Sequence, residues 1–170
     1  MLTKTVQDAL NDQINAEYYS SYLYLSMAAW AESASLKGFA NWFRVQVQEE
    51  NFHAMKFFQY VLDRRGIVKL AAIAGPPTEW TSPLAAFEAT LAHEQHVTGR
   101  INKLAELAIK ENDHASHALL EWFVNEQVEE EAAADLILQQ LKLAGDAPAA
   151  LFILDRELGA RVYTPPAAGA

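Results

Sequence analysis

Apolar residues recur at alternating three- and four-residue steps over four long stretches, the spacing that lines one face of an α-helix. The pattern predicts helices over about 5–34, 39–65, 83–111 and 113–143, and a short fifth over about 146–158. Breaks fall where helices stop. Ser35-Leu36-Lys37-Gly38 ends the first, Gly66 the second and Gly145 the fourth, with Gly75-Pro76-Pro77 between the second and third. Ser82-Pro83 opens the third helix, Asn112-Asp113 the fourth, and Asp146 with Pro148 the fifth. Short turns make helices one and two antiparallel, and likewise three and four. The link between two and three, about 16 residues, reaches up to ~55 Å when extended, while a 27-residue helix is about 40 Å long. It can cross the whole bundle and leave helices two and three parallel. The expected fold is all-α: a four-helix bundle with one long crossover and a short fifth C-terminal helix. One domain over residues 1–158 is expected, with 159–170 as a flexible tail.

Each seam is apolar at its ends and acidic in its middle. Helix two reads Phe39, Phe43, Gln46, Glu50, His53, Phe57, Tyr60. Helix three reads Phe87, Leu91, Glu94, Thr98, Ile101, and helix four Leu120, Phe123, Gln127, Glu130, Ala134. On helix one, Glu17 shares a face with Leu10, Tyr24 and Met27. The four glutamates lie within about three residues of their helix midpoints, a band a few ångströms thick. Packed together, the helices bring these carboxylates to one level.

Burying one unpaired carboxylate costs several kcal/mol, and like charges beside it add to the cost. No lysine or arginine occupies these seam positions. Divalent or trivalent cations neutralise such a cluster, and carboxylates with imidazole suit iron or manganese. Glu50 and His53, at i and i+3, share a helix face. Glu-x-x-His alone is a weak signal, and it gains force from Glu17 and Glu94 opposite. The alternative for any single glutamate is a solvated face.

Composition narrows the class. The chain carries 13 basic and 22 acidic residues, a net charge of −9, which argues against nucleic-acid binding. With no cysteine there is no disulfide, zinc–thiolate site or thiol nucleophile. No apolar run approaches the ~18 residues of a membrane span, and the polar start resembles no secretory signal. A cytoplasmic protein is expected.

Glu49-Glu50-Asn51-Phe52-His53-Ala54, Gln13 to Ser21 with Glu17, Glu94, Glu126-Gln127-Val128-Glu129-Glu130 and Leu143-Ala144-Gly145 together resemble bacterial non-haem ferritins over essentially the whole chain. The resemblance implies an iron-storage subunit with ferroxidase activity, using O2 or hydrogen peroxide, in a 24-subunit homo-oligomeric shell. It implies a di-iron centre: Glu17, Glu50 and His53 on the first iron, Glu94 and Glu130 on the second, Glu50 bridging, and Gln127 near the second iron. It also implies a third iron site from Glu49, Glu126 and Glu129, with Glu130 shared. Haem is not expected, because residues 49–53 hold no methionine and Gln127 and Glu130 stand where the haem-containing relatives have glutamate and histidine. The fifth helix would pack near the fourfold axes.

Tyr24, two turns past Glu17, could bond a metal ligand or lend an electron, or simply fill the core. Trp122 reads as packing, and His93, His96, His114 and His117 as surface residues. The main alternative is a rubrerythrin- or catalase-like di-iron or di-manganese enzyme without storage. Against it stand the missing cysteines and Glu130 in place of a second histidine. A DNA-protecting miniature ferritin fits poorly with a tail uncharged after Arg161.

Overall fold

The computed structural model describes residues 2–165, so 166–170 of the expected tail lie outside the described residues. Five helices run through them: α1 (Lys4–Ser33), α2 (Lys37–Asp63), α3 (Pro83–Lys110), α4 (His114–Ala144) and α5 (Pro148–Leu158). Side-chain oxygens cap three of them. Thr3, Ser82 and Asp113 accept from the amides of Val6, Ala85 and Ser116 at 3.3, 3.1 and 3.1 Å. Asp146 does not cap α5; the capping position belongs to Ala147, with Pro148 in the first turn as read.

The helix stops follow the glycine reading in part: Gly145 takes a positive φ of 53° at the end of α4, but α1, α2 and α3 turn on other residues. Ser35, Arg65 and Asn112 take the left-handed conformation, at φ 61°, 58° and 55°. The next residue then donates back into the helix: Leu36 to Ala31 at 2.9 Å, Gly66 to Val61 at 2.8 Å and Asp113 to Ala108 at 2.8 Å. These bonds satisfy carbonyls the helix end leaves open and offset the cost of the left-handed residue. Gly38 lies inside the first turn of α2. A methyl group there would overlap the backbone carbonyl of Asp155 on α5.

Contacts between side chains fix the topology. Arg64 at the end of α2 pairs with Asp113 at the start of α4 (3.0 Å), so those helices are antiparallel. Arg100 and Asp12 (2.8 Å), with Thr90 beside Met27, set α1 against α3 in the same sense. Phe39, Trp42 and Phe43 of α2 pack on Phe87 of α3, start against start, as parallel helices require. The crossover runs the length of α1, held by Gln7 to Ile67 (2.9 Å), Asn11 to Ile67 and Lys69 (3.0 and 2.6 Å), Asn15 to Ala72 (3.1 Å) and Ser26 to Pro77 (2.6 Å).

The apolar interior falls into two clusters. One gathers Leu23, Met27, Phe39, Phe43, Phe87 and Leu141; the other Leu10, Ile14, Phe57, Ile101, Leu120 and Phe123. Between them lies a buried polar layer.

Candidate metal centre

That layer is supplied by the seam interruptions. Glu17, Glu50, His53, Glu94, Gln127 and Glu130 are all buried, at 1–6% exposure. Gln13, Gln46 and Tyr24 are buried beside them. Each sits mid-helix, where the rigid backbone on either side is clamped by the apolar clusters.

Oxygen and nitrogen atoms of Glu17, Glu50 and His53 lie within 4.8 Å of one another, and so do those of His53, Glu126 and Glu130. The two sets share the imidazole. Nδ1 of His53 is 3.5 Å from Glu50 Oε2, and Nε2 is 3.8 Å from Glu126 Oε1. Both separations are too long for a good hydrogen bond. Oε2 of Glu17 and Oε2 of Glu50 are fully buried without a hydrogen-bond partner. Native interiors rarely leave such acceptors open. Two orphaned carboxylate oxygens facing one imidazole fit a cation with oxygen and nitrogen ligands.

The remaining carboxylate oxygens are steered by amides and a phenol. Gln13 Nε2 donates to Glu17 Oε1 at 2.8 Å, and Gln46 Nε2 donates to Glu130 Oε2 at 2.8 Å. Tyr24 donates its hydroxyl to Glu94 Oε1, while Gln127 Nε2 reaches Glu94 Oε2 at 3.3 Å. The His53 ring lies edge-on between Trp122 and Phe123, at centroid distances of 5.6 and 5.8 Å. These contacts turn ligand atoms toward a common space and hold them there.

The electrostatics carry the same message. Burial and the Glu130 charge push Glu94 up to about 8, against the hydrogen bonds from Tyr24 and Gln127. Burial and Glu130 push Glu49 up to about 7, against Arg161 and His53. Burial also raises Glu50, further helped by Glu94, and raises Glu130. For His53 burial works against the charged ring, but Glu126, Glu50 and Glu17 outweigh it and hold its pKa well above the usual value. Without a cation the cluster therefore retains protons at neutral pH.

The residues of the implied third site are less gathered. Glu49 and Glu126 are half-buried at the edge of the layer, and Glu49 Oε2 pairs with Arg161 at 2.8 Å. Glu129 is exposed and joins neither cluster of ligand atoms. His96 and His114 are exposed as expected, but His93 is drawn inward. Its Nε2 lies 2.8 Å from Ser20 Oγ, its ring meets Tyr24 edge-on, and burial pushes its pKa down to about 4.

Sequence reasoning missed Gln13, Arg100 and Arg161 as participants. Arg100 Nε donates to Gln13 Oε1 at 3.0 Å, which leaves Gln13 Nε2 for Glu17. Gln13 does lie one turn before Glu17, and that spacing is the signal that could have found it.

The fold and this layer define a class: helical bundles with a buried layer of carboxylates and histidine able to hold a metal ion. The profile of the ferritin-like domain family, named Ferritin, matches residues 7–144, and the chain belongs to that family. It is 40% identical over 163 residues to a bacterial non-heme ferritin of Staphylococcus aureus (strain USA300), covering 96% of this chain and 98% of that one. With the bacterial non-heme ferritin of Staphylococcus saprophyticus it is 42% identical over the same length. Among solved structures, an open pore ferritin from the hyperthermophilic archaeon Archaeoglobus fulgidus superposes with a TM-score of 0.95 at 54% identity, over 95% of this chain and 100% of that one. A closed form of that ferritin, engineered by site-directed mutagenesis, gives 0.96 at 54% identity, over 96% and 100% of the two chains.

Proposed function

We propose that this chain is an iron-storage ferritin subunit that oxidises Fe(II) at the buried layer and passes the product to the interior of a shell. One observation carries the site: buried Glu17 and Glu50 oxygens without partners, converging with His53 from two helices. In this reading Glu17, Glu50 and His53 hold the first Fe(II), and Glu94 and Glu130 the second, with Glu50 between them. Gln127 orients Glu94, and Glu49, Glu126, Glu129 and Glu130 form a weaker third site.

Two Fe(II) ions give up two electrons, which with two protons reduce O2 to hydrogen peroxide, or hydrogen peroxide to two waters. The protein's part is position and charge. Anionic oxygen ligands favour Fe(III) over Fe(II), so the site lowers the potential of the iron it holds. Metal entry displaces the protons that burial keeps on Glu94 and Glu49. Tyr24 holds one oxygen of Glu94 and so stands one hydrogen bond from a ligand of the second iron, in position to lend an electron.

Assembly into 24 subunits follows the family and is supported by unpartnered apolar surface. Leu143 is 90% exposed, and Phe152 and Ile153 on α5 are 64% and 65% exposed. Such surface on one chain calls for a partner, and more of this same chain is the economical one. No helix among the described residues is long and apolar enough to cross a membrane. We place the protein in the cytoplasm.

Aerobic Fe(II) addition to the assembled protein should give soluble Fe(III) faster than in buffer, within a particle of several hundred kilodaltons. Glu50→Ala and His53→Ala should abolish the fast phase and keep the particle. Wild-type rates in those variants would refute the site, and a monomer by light scattering would refute storage.

A further inference from the structure

The chain beyond α5 returns to the centre. Asn41 Nδ2 donates to the carbonyls of Leu158 and Arg161 at 3.2 and 2.9 Å, which fixes that backbone on the first turns of α2. From there the Arg161 side chain lies along α2. Its Nη1 donates to Gln46 Oε1 at 2.6 Å and to the Trp42 carbonyl at 3.5 Å. Its Nη2 donates to Glu49 Oε2 at 2.8 Å, and the guanidinium sits 4.8 Å from the centre of the Trp42 ring.

A guanidinium can only donate, so Gln46 must present its oxygen to it. The amide nitrogen is then left to donate to Glu130 Oε2, at 2.8 Å. One cation thus orients the amide that holds Glu130 and pairs directly with Glu49. Both Arg161 and Glu49 keep about a quarter of their side chains in solvent, 26% and 22%. A charge-assisted pair so placed is real but displaceable.

We propose that Arg161 is a tethered positioning residue that competes with a metal ion for Glu49 and so weakens the third site. The proposal rests on the third-site reading given above. An ion arriving at Glu49 has to displace the guanidinium, which frees Gln46 to turn and loosens its hold on Glu130. Occupancy of the outer site is thereby coupled to the inner one through the arm after α5. A site held weak in this way suits iron in transit.

Anaerobic Fe(II) calorimetry on the assembled full-length protein tests this, with wild type, Arg161→Gln, Arg161→Lys and Asn41→Ala. Wild type should bind two equivalents per subunit and a third more weakly. Arg161→Gln should tighten the third equivalent roughly tenfold and retain the first two. Arg161→Lys should fall between, because an ammonium keeps the charge but not the fork. Asn41→Ala loosens the tether without removing the cation and should shift the third equivalent the same way by less; it decides alone should Arg161→Gln not assemble. A third equivalent unchanged or weakened in these variants overturns the role of Arg161 and leaves the third site standing. Absence of a third equivalent in wild type and variants alike removes the site, and the competition with it.

Discussion

Tyr24 shows how one side chain serves both the apolar cluster and the polar layer. Its ring stacks on Phe43 at 6.2 Å and meets Trp42 edge-on, while its hydroxyl donates to Glu94. Tyr24→Phe keeps the ring and removes the donor. Glu94 would then lose a bond that favours its ionised form, so metal binding should weaken and the initial oxidation rate fall several-fold, with particle size unchanged. Stopped-flow absorbance reads the rate, and a wild-type rate would reduce Tyr24 to packing. Proton release offers a second residue-scale check. Glu94 near 8 and Glu49 near 7 hold protons at neutral pH that a bound cation must expel. Calorimetry in buffers of different ionisation heat should show protons released on metal binding at pH 7, fewer at pH 8.5 and fewer in Glu94→Gln. Glu17, Glu50, His53, Glu94 and Glu130 were legible in the sequence because each breaks an apolar seam. Arg161 was not, since it meets Gln46 across 115 residues of chain and no periodicity links them.

At the scale of elements, the helix pattern was readable because 27 to 31 residues carry many repeats of one period. Helix ends were less so. Glycine marks the end of α4, at Gly145, but Ser35, Arg65 and Asn112 take the left-handed position at the other three, because the returning backbone bond matters more there than the residue type. Gly38 serves packing instead. Asp155 Oδ1 accepts from the amides of Gly38 and Phe39 at 2.8 and 3.1 Å, supplying α2 with the cap that Leu36 cannot. That contact requires α5 and α2 to touch backbone to backbone. Gly38→Ala should push α5 off α2 at a cost of about 1–3 kcal/mol, the usual range for overpacking. Differential scanning calorimetry should record a lower Tm, with the arm after α5 more open to proteolysis. An unchanged Tm would mean that α5 docks loosely.

For the whole molecule, the polar layer between two apolar clusters makes stability depend on protons and cations together. The raised carboxylates bind protons more tightly folded than unfolded. Their contribution is complete below the unfolded value near 4.5 and is lost as pH rises through about 7 for Glu49 and about 8 for Glu94. His53, raised as well, acts in the same direction. A bound cation reverses this, because it needs the same oxygens deprotonated. At a hundredfold excess over its Kd it adds about 2.7 kcal/mol per site. The Tm gap between Zn(II)-loaded and chelator-treated protein should therefore widen as pH rises from 5.5 to 8, by on the order of 5–10 °C. Zn(II) is redox-inert, so the gap reports binding without turnover. Glu94→Gln, neutral at every pH, should flatten much of it. A gap that stays constant across this range in wild type would mean that the cation binds outside the buried layer, and that the convergence of Glu17, Glu50, His53, Glu94 and Glu130 has some purpose other than holding iron.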